Sequence, residues 1–128
     1  ELMELISLQN NLRSLKLSAF GSHWTNIIPS LTKHSNTLTK LCLGGADNRL
    51  SLSFISSFLN LQEIEFSLMN DEFKDFKELQ YVTFSQLQVL KFQYRSPRND
   101  LLVKFLENNG ENLIELIILN LEKTERFI

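Results

Sequence analysis

Apolar residues along this chain recur in a fixed six-residue template, L-x-x-L-x-L, whose first, fourth and sixth positions are apolar. The template occurs five times, and Leu, Ile or Phe fills all fifteen apolar positions. It starts at Leu12, Leu38, Leu61, Leu87 and Leu113, with spacings of 26, 23, 26 and 26 residues. Because chance rarely produces such regularity in a chain with 43% hydrophobic residues, the pattern indicates an internal repeat.

The last two apolar positions of each template are separated by one residue, as in a short β-strand with one inward face. They predict strands near 14–18, 40–44, 63–67, 89–93 and 115–119. Such strands are too short to fold alone, so neighbouring repeats must stack and bury a common apolar face. Polar residues stand directly before the templates, at Asn10-Asn11, Asn36-Thr37, Asn60, Ser85-Gln86 and Glu111-Asn112.

Four stretches between the predicted strands place apolar residues on one helical face. They are Trp24, Ile27, Ile28 and Leu31; Leu52, Ile55, Phe58 and Leu59; Phe73, Phe76 and Leu79, which fit less cleanly; and Leu102, Phe105 and Leu106. Pro29 fits poorly inside a helix, so the first helix is predicted to begin near Asn26. Asp100 is the predicted N-cap of the last helix, and Asn109-Gly110 its predicted end.

These elements predict a single α/β domain over residues 1–128. Strands in stacked repeats are parallel, and their crossovers are right-handed. The repeat length and consensus are typical of leucine-rich repeats, so we expect a right-handed leucine-rich-repeat solenoid with strands on the concave face and helices on the convex face. Leu2 and Leu5 predict an opening helix from an incomplete repeat. Without an initiator Met or polar capping repeats, the chain is expected to be a fragment of a longer one.

Composition narrows the possible functions. A net charge of -2 argues against non-specific nucleic-acid binding. The longest apolar stretch, near Leu113–Leu121, is too short to cross a bilayer. A single cysteine and the lack of an N-x-S/T sequon fit a reducing compartment, so an intracellular location, cytoplasmic or nuclear, is expected.

No arrangement of residues predicts catalysis. One Cys and two His are fewer than the four ligands of a structural zinc site. Cys42 is predicted on a strand and His34 near the end of an outer helix, so the two should not meet. Gly44-Gly45 lacks the following Gly-Lys-Ser/Thr of a phosphate-binding loop and is predicted to let the chain leave its strand. We therefore expect no enzyme activity, no cofactor and no metal.

Residues between the template positions are predicted to point to the concave side. The candidate protein-binding residues there are Ser14, Lys16, Lys40, Cys42, Glu63, Glu65, Lys91, Gln93 and Glu115. Strands ~4.8 Å apart would place Lys40 opposite Glu63 and Glu65 opposite Lys91. Two interpretations stay open: a mixed-charge surface that binds a protein, or charge pairs that satisfy one another and prevent edge aggregation.

Three other features also have more than one interpretation. His23 and Trp24 could form a partner contact, or Trp24 could pack in the core. The stretch Arg95-Ser96-Pro97-Arg98 is predicted as a loop: a basic contact, a phosphorylated Ser-Pro, or a plain solvated turn. Acidic residues interleave with the Phe73 stretch and predict the wet face of an amphipathic helix: Asp71, Glu72, Asp75 and Glu78.

The runs "NNLRSLKL", "SNTLTKLCL", "LNLQEIEF", "SQLQVLKF" and "ENLIELIIL" resemble the leucine-rich repeats of F-box proteins, especially the degenerate fungal type. So does "LVKFLENNGENLIEL", in which a helix ends before a polar turn and a strand. The resemblance implies the substrate-recognition region of an SCF ubiquitin ligase. A protein substrate would bind the concave face, and the adaptor and cullin would bind only through an F-box outside this segment.

The chain departs from many leucine-rich repeats, which place Asn or Cys eight residues after the first Leu. The corresponding residues are Phe20, Ala46, Met69, Arg95 and Leu121. Irregular loops after the strands are therefore expected. The alternative function is a leucine-rich-repeat scaffold or sensor unrelated to ubiquitin, either immune-receptor-like or enzyme-inhibitor-like.

Overall fold

A computed structural model describes residues 2–19, 24–45, 50–69 and 72–120. Within this part of the chain, helices and strands alternate, and the strands form one open, all-parallel sheet. The strand order follows the chain, β1-β2-β3-β4-β5. Their bounds are β1, Ser14–Ala19; β2, Lys40–Gly45; β3, Glu63–Leu68; β4, Val89–Tyr94; and β5, Glu115–Asn120. All five predicted strands are confirmed, and each ends one residue later than expected.

The template positions stand side by side in the sheet. Leu15, Leu41, Ile64, Leu90 and Leu116 are successive Cα partners from β1 to β5. The predicted register is therefore confirmed across all four strand pairs. A repeat that is three residues shorter, between Leu38 and Leu61, does not shift it.

Backbone hydrogen bonds recur from one strand to the next. One carbonyl oxygen before each of the first four strands accepts hydrogen bonds from two consecutive amides of the next repeat. The Arg13 carbonyl accepts from Thr39 N at 2.7 Å and Lys40 N at 3.0 Å. The carbonyls of Thr39, Gln62 and Gln88 do the same. Because this doubled contact always falls at the same template position, it fixes the register of adjacent repeats.

The polar residues before the templates also link the repeats. Thr37 Oγ1 donates to the Leu12 carbonyl at 2.8 Å. Asn60 Nδ2 donates to the Asn36 carbonyl at 2.8 Å, and Asn112 Nδ2 to that of Ser85 at 3.3 Å. These bonds satisfy turn carbonyls that strand pairing leaves free, which explains why polar residues recur there.

The core lies between one face of the sheet and the connecting segments. Along β3, buried and partly exposed residues alternate, with Ile64 and Phe66 on the buried face. These side chains belong to one apolar cluster with the helical residues Leu31, Ile55 and Phe105. The protein therefore has two layers: a sheet, and helical segments that cover one of its faces.

Within the described residues, three α-helices and three 3₁₀ helices connect the strands or precede them. The α-helices are α1, Leu2–Ser7; α2, Ile28–Thr32; and α3, Asn99–Asn109. The 3₁₀ helices are Trp24–Ile27, Leu52–Ser57 and Phe76–Tyr81. None of the helices in the described ranges has the length and apolar character that a bilayer-spanning segment requires.

Two predicted amphipathic helices are 3₁₀ rather than α. In the first, Leu52, Ile55 and Phe58 recur every third residue, and a 3₁₀ helix has three residues per turn, so all three side chains share the buried face. Leu59 was expected on that face, but it follows the helix and is 51% exposed, so this prediction is wrong. Phe73 was expected on the helical face with Phe76, but it lies before the 3₁₀ helix Phe76–Tyr81, with a φ of 43°, so this prediction is wrong although the residue is buried.

The predicted ends of α3 are partly correct. Gly110 caps the carboxyl end, and its N–H donates to the Leu106 carbonyl at 2.7 Å, as expected. Asp100 is not the N-cap, because α3 begins at Asn99 and the N-cap is Arg98. The Asp100 carboxylate pairs with the Arg98 guanidinium at 3.2 Å instead of capping the backbone.

The amino-terminal helices also follow the sequence pattern. The predicted opening helix is confirmed as α1, although Ile6 is its buried residue and Leu2 and Leu5 are exposed. The next helical segment begins as a 3₁₀ turn and becomes α2 at Ile28, with Pro29 in its first turn. The Trp24 side chain and His23 lie outside the described residues.

The template residues of the last strand contradict the expectation of a uniformly dry core. Leu116 is 43% exposed and Ile118 is 39% exposed. Their strand β5 is an edge strand, with β4 as its partner within the described residues. The template therefore gives the direction of a side chain, while burial also needs a neighbouring repeat on both sides.

Two buried polar side chains have structural roles that the sequence analysis missed. His34 lies below the surface, and its Nε2 is 2.8 Å from the Ile6 carbonyl oxygen. Asn109 accepts a hydrogen bond from Phe84 N at 2.7 Å and donates to the Val82 carbonyl at 2.9 Å. Each side chain pairs backbone groups of a neighbouring repeat, so each holds two repeats together.

Candidate protein-binding surface

The sheet brings the predicted binding residues together on the face opposite the apolar core. We call this surface the exposed sheet face; it carries Ser14, Lys16, Lys40, Cys42, Glu63, Glu65, Lys91, Gln93 and Glu115. The register places them in the expected columns, because these residues alternate along each strand with the buried template residues. Cys42 is only 7% exposed, so it belongs to the floor of this surface and offers little area to a partner.

Near the amino ends of the strands, the carboxylate of Glu63 is shared by two lysines of the exposed sheet face. Glu63 Oε2 lies 3.2 Å from Lys40 Nζ and 3.8 Å from Lys91 Nζ. The hydrogen bond to Glu63 and the charge of its carboxylate raise the pKa of Lys40. The predicted Lys40–Glu63 pair is therefore confirmed. Lys91 is the Cα partner of Glu65, as expected, but its ammonium lies within ion-pair distance of Glu63.

Glu65 has a different environment from Glu63, although the two lie two residues apart on β3. Its Oε2 accepts a hydrogen bond from Ser67 Oγ at 3.3 Å and another from Gln93 Nε2 at 3.4 Å. Both donors are neutral. Among the described residues, no ammonium or guanidinium group lies within 4.0 Å of this carboxylate. Within the part of the chain that the structure describes, Glu65 is therefore bonded to neutral donors only.

A depression of about 290 Å³ opens beside Glu65 at the carboxyl ends of the central strands. Lys16 and Gln93 line its sides, and Met69 and Tyr94 stand at its rim, both exposed. Tyr94 has a φ of 76°, a left-handed conformation that turns the chain out of β4. The depression thus combines a charged wall with an apolar and aromatic rim.

Glycines form part of the floor of this depression. Gly45 has a φ of 123°, which confirms the prediction that the chain leaves β2 there. The part that Gly44 has in forming the depression was not predicted from the sequence. A Cβ added at Gly44 would lie 3.4 Å from Ser18 Oγ and 3.5 Å from Ser67 Cβ, in ordinary contact. The depression therefore exists because this column of the sheet contains small residues, a pattern visible in the sequence as Ser18, Gly44 and Ser67.

Cys42, Glu63 and Glu65 bring three potential metal ligands within 4.8 Å of one another. The residue types fit zinc, but the local charges do not favour it. Two ammonium groups already surround Glu63 Oε2. Burial raises the pKa of the Cys42 thiol, and the Glu65 charge raises it further, so the protonated form is favoured. We therefore assign no metal to this cluster.

The loop after β4 is packed against its surroundings. Pro97 is buried, so the expectation of a plain solvated turn is wrong at this residue. Pro97 and Leu101 line a second depression of about 250 Å³ together with Phe73 and Phe76.

In the acidic stretch, Glu78 is exposed on the 3₁₀ helix Phe76–Tyr81, as predicted for a wet face. Glu72 and Asp75 precede that helix, and Asp75 is part-buried and accepts a hydrogen bond from Ser51 Oγ at 2.6 Å, so the prediction is wrong for these two residues. Asp71 lies outside the described residues.

Comparison of the chain with protein-family models, with curated proteins and with solved structures finds no significant match. A function must therefore be argued from the geometry of the sheet, its charges and the resemblance of the repeats.

Proposed function

We propose that this chain is a leucine-rich-repeat module that binds another protein through the exposed sheet face. One observation carries the proposal: five parallel strands follow chain order and keep the register of the 23- to 26-residue repeat. Stacked repeats of this kind form extended binding surfaces. In the proposed architecture, the sheet is the concave wall of a right-handed solenoid and the helical segments form its convex side.

The dimensions of the exposed sheet face favour a protein as the partner. Five strands at a spacing of ~4.8 Å span about 19 Å, a width suited to a peptide segment or a protein surface. The face carries both lysines and glutamates, and such mixed charge gives specificity through complementary charges on the partner. Exposed Met69 and Tyr94 add the kinds of side chain that are enriched in protein interfaces.

Within this proposal, the resemblance of the repeats supports a role as the substrate-recognition region of an F-box subunit of an SCF ubiquitin ligase. An F-box elsewhere in the protein would bind the adaptor, and this segment would hold the substrate. Such a role needs binding without chemistry from these residues.

The ligase assignment is tested by immunoprecipitating the full-length protein and probing for the SCF adaptor. Adaptor in the precipitate is the expected result. Its absence, with the partner of the exposed sheet face still captured, would remove the ligase assignment and favour a scaffold or sensor.

The binding face is tested by exchanging two charges, Glu65→Lys with Lys91→Glu. The matched control makes the same exchange on α3, Lys104→Glu with Glu107→Lys, where both residues are exposed. Quantitative mass spectrometry of captured proteins should show partners lost from the first variant and kept by the second. Partners retained equally by both variants would place the binding surface elsewhere.

A further inference from the structure

The two glutamates of β3 suggest what the partner must bring. Glu63 is surrounded by Lys40 and Lys91, so its charge is already compensated. Among the residues that the structure describes, Glu65 accepts hydrogen bonds from neutral groups alone, and it lines the depression. A carboxylate without a paired cation, at the wall of a recess, is complementary to a positively charged group.

The rest of the depression suits a long basic side chain. The small residues at its floor leave room beneath the level of the neighbouring side chains. Met69 and Tyr94 at the rim can contact an aliphatic stem, and an aromatic ring also attracts a cation above its face. A guanidinium has five N–H donors in one plane, so it can bond a carboxylate and a neighbouring amide oxygen together. These features favour arginine over lysine.

Lys16 is the one cation that lines this depression within the described residues. It lies on β1, two strands from Glu65, which corresponds to roughly 10 Å between backbones. It is also exposed, so solvent and salt weaken its repulsion of an incoming cation. Its position at the far side leaves the Glu65 side of the recess as the negative end.

We propose that the depression receives an arginine side chain of the partner protein, with Glu65 as its counter-ion and Tyr94 and Met69 against its stem. This inference rests on the proposed function, because it assumes that the exposed sheet face is the binding surface. It specifies the chemistry of the partner: an exposed arginine in a segment that can lie across the ends of β2, β3 and β4.

The test is an NMR titration of the ¹⁵N-labelled protein with acetyl-Gly-Arg-Gly-amide. The matched probe replaces arginine by citrulline, which has nearly the same shape and no charge. We expect the arginine peptide to shift the amide signals of Gly44, Gly45 and Gln93. The citrulline peptide should bind more weakly by on the order of tenfold, as expected for loss of a charge-assisted hydrogen bond.

Three variants locate the effect. Glu65→Gln keeps the shape of the side chain and removes its charge, and we expect it to abolish the preference for arginine over citrulline. Glu115→Gln makes the same change on β5, outside the depression, and should leave that preference intact. Gly44→Val fills the floor and should weaken the arginine peptide while Glu65 is still present. The spectrum of each variant without added peptide shows whether the variant is folded.

Equal shifts with both peptides, no shifts at the depression, or an unchanged preference in Glu65→Gln would each overturn the inference. The outcome is separable from the proposed function. If the charge exchange at Glu65 and Lys91 still removes partner capture, the face binds and only the arginine assignment falls. If both experiments fail, the exposed sheet face is not the binding surface.

Discussion

The central and terminal repeats contain the same template, but the residue at its fourth position is fully buried only in the central repeats. Leu41, Ile64 and Leu90 are at most 1% exposed, whereas Leu116 at the same position of β5 is 43% exposed. Leu15 on β1 is only partly buried. The residue type is nearly constant, so the difference comes from the number of neighbouring repeats.

Hydrogen bonding does not show this difference. β5 pairs with β4 over six positions, as β2 does with β3. The Gln88 carbonyl accepts from Ile114 N and Glu115 N, just as the Thr39 carbonyl accepts from Gln62 N and Glu63 N. The ladder therefore extends fully to the edge while side-chain packing does not. Backbone pairing sets the position of a repeat, and stacking on both sides supplies the apolar burial that stabilises it.

The largest expected effect comes from truncating a central leucine. Leu90→Ala should lower the free energy of unfolding by about 2–5 kcal/mol, because it leaves a cavity among fully buried neighbours. Leu116→Ala is the matched change at the edge and should cost roughly half of that or less, because solvent already reaches this side chain. Urea denaturation of both variants measures the difference. Equal losses would mean that the terminal repeat is as well packed as the centre.

A second contrast concerns two polar side chains, one buried in the core and one exposed at a turn. Asn109→Ala leaves the buried Phe84 N without its acceptor and removes one of two amide donors to the Val82 carbonyl, so it should cost about 1–3 kcal/mol. Asn60→Ala removes one hydrogen bond at an exposed turn, where water can replace it, and should cost about 0.5–1.5 kcal/mol or less. Chemical denaturation compares the two. A larger loss for Asn60→Ala would show that the turn bonds hold the repeats together more strongly than the buried amide.

The reactivity of the Cys42 thiol tests whether this residue is buried at the centre of the exposed sheet face. Burial and the nearby Glu65 charge raise its pKa, so less thiolate is present at neutral pH. Iodoacetamide should therefore react more slowly with native protein than with protein unfolded in urea. Because burial and the Glu65 charge disfavour the thiolate, this group should lower the stability of the native state as the pH rises above its ordinary pKa of 9.0, with no such effect below it. Equal alkylation rates at neutral pH would contradict this placement.

The smallest effect is expected at Lys40, which is exposed although it pairs with Glu63. Its pKa is raised, so the stabilisation is complete below its ordinary value of 10.5 and is lost as the pH rises through the higher native value. Lys40→Met should shift the denaturation midpoint least of these variants near neutral pH, and the difference from wild type should disappear at high pH. A midpoint shift as large as that of Leu90→Ala would show that the pair is not solvent-screened.

The strands and their register could be predicted because each is specified locally and repeated five times. Whether a connecting segment is an α-helix or a 3₁₀ helix was harder to predict. Three apolar residues such as Leu52, Ile55 and Phe58 fit both the 3.6 residues per turn of an α-helix and the 3.0 of a 3₁₀ helix. Exposure of Leu116 depends on a neighbour rather than on the residue itself. The sequence therefore specifies where the strands lie more reliably than how well they are covered.

The exposed sheet face could be predicted only in part. The pairing of Lys40 with Glu63 followed from register alone. The position of the Lys91 ammonium depends on how a long, flexible side chain bends, which register does not determine. The depression required recognising that an absent side chain at Gly44 creates space, whereas the sequence analysis considered this glycine only as a turn residue.

The short repeat between Leu38 and Leu61 has a practical consequence for engineering. Its three missing residues leave the doubled carbonyl contact intact, with 2.7 and 3.1 Å at Thr39 against 2.7 and 3.0 Å at Arg13. Length variation is thus absorbed in the return segment, away from the strand. Foreign segments of different length could be grafted into the returns of this scaffold, while the spacing of the strand side chains stays the same.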